Sequence, residues 1–178
     1  MSISKDARVK DMADLLTAYV ALIGDRDRIE IMVGPHDDGF TGFLRTTWVE
    51  LEQRGFLAPH HAFGTNGQHW ELTEGGWLMG LRVSGQLEST NLRARAVTLA
   101  QGLKALVKGR SSPFAEIADE RDLAPRLGLP VGWVRNALES NLLNELFPDK
   151  NMTVERDYRS GCFRVPPLFG LEWLDNGE

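Results

Sequence analysis

Cysteine is almost missing from this sequence: Cys162 stands alone among 178 residues. One thiol cannot close an intramolecular disulfide, nor can it supply a cysteine-based zinc cluster. A reducing cytoplasm is therefore the expected compartment. Long apolar runs are missing too, and none approaches the roughly 20 residues of a membrane span. The stretch Met1–Asp11 is polar and mixed in charge, without the apolar segment of a secretory signal, so no membrane association is expected. No histidine is accompanied by an identifiable nucleophile motif, and no two histidines share a helix at ligand spacing. The chain is expected not to be an enzyme and to carry no catalytic residue, cofactor or metal. From Gly55 through Leu81 there is neither Lys nor Arg, which leaves that stretch poorly suited to clamping phosphate.

What is present is an ordinary folding composition, 42% hydrophobic residues, enough for a real core. The net charge of −5 is unevenly spread. Residues 1–89 carry a net −5 and residues 111–178 another −5, while 90–110 hold Arg93, Arg95, Lys104, Lys108 and Arg110 with no acid. A basic segment thus joins two acidic ones. It is either a solvated helix that offsets its neighbours or a phosphate-facing surface.

The C-terminal half holds the most informative string, Asp122 to Leu138. Ala124, Gly128 and Val134 follow one another at intervals of four and six residues. Ala124 is small where two helices cross closely. Gly128 has the freedom to take the positive φ that ends a helix. Pro130 suits the opening of the next one, where its missing N–H costs nothing. Val134, Ala137 and Leu138 form an apolar stripe, and Leu127 and Leu129 fill the angle. Asp122 is the expected N-cap, which would place Pro125 in the first turn. Ser112-Pro113 marks a separate short helix over Phe114–Glu120. Phe147-Pro148-Asp149 stops the second helix. Met152–Tyr158 and Cys162–Val165 read as strands about an Arg159-Ser160-Gly161 turn. This string resembles a helix-turn-helix, and with its hairpin it resembles a winged helix. The resemblance implies a second helix that enters the DNA major groove and a hairpin that touches the flanks. It nominates Arg135 and Asn136 for base reading and Arg156, Arg159 and Arg164 for phosphate contacts. Against that, Glu139, Glu145 and Asp149 lie along or just beyond the same helix and would repel phosphate. Arg156 and Arg164 could also simply pair with Glu155 and Asp157.

In the N-terminal half, Ala13, Leu16, Val20 and Ile23, with Leu15, Tyr19 and Leu22 beside them, form a helical apolar face. Ile29–Val33 reads as a short strand, Gly34–Gly39 as a loop, and about Thr41–Arg54 as a helix ended by Gly55. Asn66-Gly67 is a hairpin turn between strands at Leu57–Phe63 and Gln68–Leu72. Thr73 caps a further helix. The strings Leu-Glu-Gln-Arg-Gly-Phe-Leu57 and Trp-Glu-Leu-Thr-Glu-Gly-Gly76 resemble the helix, wing and following helix of MarR/PadR-type winged helices, over about residues 40–83. The loop Gly34–Gly39 occupies the place of that family's first paired helix, so the module is degenerate, and its cation-free hairpin favours protein contact. His60, His61 and His69 face one another across this hairpin, with His36, Asp37 and Asp38 in the loop. They read as exposed polar residues, since no two histidines share a helix at ligand spacing.

Between the halves, apolar residues at Leu92, Ala96, Leu99, Leu103 and Leu106 mark an amphipathic helix with a narrow seam. The seam packs on its own domain or on a second copy of the chain. Arg93, Lys104 and Lys108 share a helical face and could approach phosphate. The expected fold is α+β, mainly α, with two winged-helix modules at 1–88 and 89–178, each a three-helix core with a β-hairpin wing. The expected function is a DNA-binding protein, a transcriptional regulator on double-stranded DNA, with a homodimer or protein partner also open. The alternatives are a tandem winged-helix adaptor that contacts protein without DNA and a replication-associated accessory protein. Solvent-exposed tryptophans among Trp48, Trp70, Trp77 and Trp133 would favour the adaptor.

Overall fold

The computed structural model describes residues 5–24, 31–60, 68–108, 116–167 and 169–170. The chain is an α+β protein, mainly helical, with two small antiparallel sheets. It divides into two compact units, and the division falls between Gln86 and Leu87.

In the first unit, α1 (Lys5–Ile23) buries Met12, Leu15, Leu16, Tyr19, Val20 and Ile23, a stripe at the helical spacing that periodicity predicts. β1 (Met32–Val33) follows. Residues 34–43 form linked turns in place of a helix. Gly34 N–H donates to Asp37 Oδ2 at 2.7 Å, Phe40 N–H to the Asp37 carbonyl at 2.9 Å, and Phe43 N–H to the Phe40 carbonyl at 3.1 Å. Phe40 pins this segment by packing on Tyr19 and Trp48, with centroids 5.4 and 5.8 Å away. The next helix, α2 (Arg45–Gln53), therefore starts later than the expected Thr41, after an extended Leu44. It ends as expected at Gly55, whose φ is +76°. Gly55 N–H donates to the Glu52 carbonyl and Phe56 N–H to that of Leu51, both at 2.9 Å, which satisfies the carbonyls a helix end leaves open.

β2 (Leu57–His60) and β3 (His69–Leu72) pair antiparallel, from Leu57 opposite Leu72 to His60 opposite His69. The Asn66-Gly67 turn lies outside the described residues. β1 pairs with the other edge of β3, so the sheet order is β1-β3-β2. Thr73 caps α3 (Glu74–Val83) as expected: its hydroxyl accepts from Gly76 N–H at 3.0 Å and donates to the Gly55 carbonyl at 2.7 Å. The core is aromatic, with Trp48 stacked against Trp70 at 5.1 Å, and Trp70 Nε1 donating to Glu52 at 2.7 Å.

In the second unit, α4 (Thr90–Val107) starts at Ser89, whose hydroxyl caps Leu92 N–H at 3.2 Å. Its seam of Leu92, Ala96, Leu99 and Leu103 is buried within this unit, and α4 packs on the helices and sheet that follow it. β4 (Glu116–Ala118) replaces the end of the short helix expected over Phe114–Glu120; residues 114 and 115 lie outside the described ones. The reason is a long-range partner. β4 pairs antiparallel with β6 (Phe163–Val165), whereas an isolated helix of that length is only marginal.

α5 (Glu120–Leu127) then begins earlier than expected. Asp119 rather than Asp122 is its N-cap, accepting from Arg121 N–H at 2.8 Å. Pro125 consequently sits inside the helix. It is exposed, as is Arg121, whose carbonyl loses its helical donor. Gly128 ends α5 in the left-handed region, φ +66°, with the same paired carbonyl bonds as at Gly55. Pro130 occupies the N-cap position of α6 (Val131–Glu139). Sequence periodicity runs one helix on to Phe147, but Asn141 adopts φ +55° and breaks it, leaving α7 (Leu142–Leu146) separate. β5 (Glu155–Arg156) pairs with β6, and the second sheet has the order β4-β6-β5. Both units thus open with a helix and a strand and reach a hairpin after one further helix in the first and three in the second, and in the first unit α3 follows the hairpin. In both sheets the third strand lies in the middle.

Candidate interaction surfaces

α6 is the helix nominated for base reading, and not one of its residues is fully exposed. α5 and α7 pack against it, burying Trp133, Val134, Ala137 and Leu138. Arg135 is turned onto α5, where its Nε and Nη2 both donate to Glu120 Oε1, at 2.8 and 2.6 Å. The Glu120 side chain is 4% exposed and that of Arg135 22%. Asn136 is 6% exposed, and its amide nitrogen is buried without a hydrogen-bond partner. Both side chains nominated for base edges therefore face the protein interior.

Two of the three hairpin arginines are similarly engaged. Arg156 pairs with Glu139, not with Glu155 beside it, and its guanidinium lies 5.9 Å from the Phe163 ring centroid. Arg164 Nη2 bonds Asp157 Oδ2 at 3.2 Å. The Asp157 carboxyl is held below its usual range first by the backbone N–H of Arg159, then by Arg164. Arg159 is exposed, and next to it Tyr158 is 91% exposed. On α4, Arg93 lies 5.3 Å from the Phe147 ring centroid and Arg95 lies 5.9 Å from that of Trp133. Lys104 is half-buried and Lys108 is exposed. Of the eight residues nominated for nucleic acid, Arg159 and Lys108 are the two that are exposed with no ion pair or ring contact described for them.

The first unit presents a different surface. Because Thr47, Trp48 and Leu51 face inward, α2 turns Arg45, Thr46, Val49, Glu50 and Gln53 outward. With Ala7, Arg8 and Asp11 of α1 they border an open groove of about 860 Å³. Leu44, at its edge, is 51% exposed. Asp11 accepts from the Thr47 hydroxyl, and Glu50 pairs with Arg54 at 2.9 Å. The inward stripe of Thr47, Trp48 and Leu51, which periodicity reads first, does not mark this groove. The i, i+4 spacing of Arg45 and Val49 outside that stripe is the signal that would have found it.

His60 and His69 lie on the first sheet, and His36 lies in the turns that follow β1. His60 Nε2 is 2.8 Å from Glu71 Oε2 and His69 Nε2 is 3.7 Å from Asp37 Oδ2; His61 lies outside the described residues. Among the described residues no group of three or more His, Cys, Asp or Glu gathers in a way that could hold a metal ion, and no helix is long and apolar enough to cross a membrane. Trp48, Trp70, Trp77 and Trp133 are all buried, so they form no surface patch and lend the adaptor expectation no support. Comparison of the chain with family models, curated proteins and solved structures finds no match.

Proposed function

We propose that both units are winged-helix modules and that the chain is an adaptor that works through protein contacts. The sheet order, with the third strand central in each unit, supports the winged-helix reading, as does a hairpin that follows a helix in each unit. The observation that carries the adaptor reading is the Arg135–Glu120 pair. Withdrawing Arg135 to meet a base would strand a buried carboxylate, at a cost of roughly 3–5 kcal/mol. A bidentate contact to guanine returns only about 1–3 kcal/mol. The groove-reading role therefore loses on energy. The acidic balance of −5 and the pairing of Arg156 and Arg164 within their own unit point the same way.

The test is fluorescence anisotropy of a labelled random duplex at low and moderate salt, alongside cross-linking of the intact chain in its own cell. The adaptor reading expects duplex affinity no tighter than roughly 0.1 mM at physiological salt, together with one reproducible protein cross-link. Steep salt-dependent duplex binding would overturn it. A DNA reading has one observation in its favour: α2 presents Arg45, Thr46 and Gln53 to solvent just before a hairpin. Duplex binding lost in Arg45→Glu but kept in Arg159→Glu would establish that reading.

A further inference from the structure

We propose that the groove between α1 and α2 receives an amphipathic helix of a partner protein whose apolar stripe is edged by carboxylates. This rests on the adaptor reading and names the partner's chemistry. The groove holds about 860 Å³ and is open along α2, room for several side chains rather than for an ion. Ala7, Leu44 and Val49 supply apolar surface, and the 51% exposure of Leu44 leaves apolar area in water that a partner would remove. A helix laid in a groove meets such a floor with residues spaced i, i+3 or i+4, and i+7.

The charges choose the partner's sign. Glu50 is paired with Arg54, while Asp11 accepts from the neutral Thr47 hydroxyl and keeps its charge, so Arg8, Arg45 and Arg54 leave the wall with a net of one positive charge. Arg8 is exposed. Arg45 reaches only the neutral Gln68 amide oxygen, at 3.4 Å. Two cations at the rim thus face solvent with no carboxylate held against them in the described contacts. Acidic flanks on the incoming helix would complement them, and basic flanks would be repelled. Nucleic acid fits less well, because a phosphate backbone would leave the apolar surface of Ala7, Leu44 and Val49 uncovered and one net positive charge is little for a polyanion.

The experiment uses the intact chain, isotopically labelled for amide NMR, and two short stapled helical peptides. Both carry leucines at i, i+3 and i+7; one is flanked by glutamates, its twin by lysines. A random duplex is the third probe. The glutamate peptide is expected to shift the amide signals of Arg8, Leu44, Arg45 and Val49 and to bind at least about tenfold tighter than its twin. The Arg8→Glu/Arg45→Glu double variant is expected to reverse that order. Both arginines are at the surface, so the variant should fold, and its melting temperature checks this. Leu44→Asp is expected to weaken both peptides. Equal affinity for the twins, or no shift of the groove signals, overturns the proposal. Shifts confined to the second unit overturn the groove and leave the adaptor reading intact. Salt-steep duplex binding at the groove overturns both.

Discussion

Arg135 and Glu120 lie on neighbouring helices, and Glu120 has almost no access to water. Arg135→Ala should therefore cost roughly 3 kcal/mol, the low end of the range for breaking a buried pair, since Arg135 itself keeps partial access to water. Replacing both partners, as Glu120→Leu/Arg135→Met, should recover most of that loss. Urea titration of the single and double variants checks both statements. Tyr19 supplies a second residue-scale test. Its hydroxyl donates to the Trp70 carbonyl, and burial first of all pushes its pKa up. The folded chain keeps this proton, while the unfolded chain releases it above about pH 10. Stability should accordingly fall as pH rises through that value toward the folded one. Tyr19→Phe should cost about 1–2 kcal/mol at neutral pH and flatten the alkaline loss, as read from the difference between the two unfolding curves.

At the scale of elements, the crossing of α1 and α3 is set by missing side chains. A Cβ on Gly80 would lie 2.3 Å from Val20 Cγ2 and 3.1 Å from the Leu16 carbonyl oxygen. One on Gly75 would meet nothing closer than the Thr73 hydroxyl at 4.0 Å. Gly80→Ala should thus destabilise by about 1–3 kcal/mol through overpacking. Gly75→Ala should stabilise by about 0.4–1 kcal/mol by narrowing the unfolded ensemble. Thermal melts of the two variants should move in opposite directions. The same contrast explains which elements could be read from sequence. Helices with a stripe and a cap were legible, as with Thr73 before α3 and Ser89 before α4. Gly55 and Gly128 were legible as stops because only a positive φ fits there. β4 was not, because its partner strand β6 lies far along the chain. Nor was the inward turn of Arg135, since its carboxylate partner is fifteen residues away and nothing local marks Glu120 as buried. The break at Asn141 was hidden because Leu142 and Leu143 continue the apolar pattern across it.

At the scale of the molecule, charge outweighs motif. The chain carries 20 basic and 25 acidic side chains, and most of the arginines nominated for nucleic acid are paired or stacked inside the second unit. Long-range attraction to a polyanion needs uncompensated cations. The protein should therefore pass unretained through a heparin column at roughly physiological ionic strength, where the screening length is about 8 Å. Retention would show that exposed cations, Arg8 and Arg45 in the first unit or Arg159 and Lys108 in the second, are enough to hold a polyanion.

The sequence contains two tyrosines, and the fold treats them in opposite ways. Tyr158 stands almost wholly in solvent beside the second hairpin, whereas Tyr19 is sealed in the first core. Iodination or nitration of phenols should thus label the second unit at once and the first only when its core opens. The protein carries its own clock for local unfolding: delayed modification of Tyr19 measures the lifetime of the closed first unit, with Tyr158 as the internal standard for reagent strength.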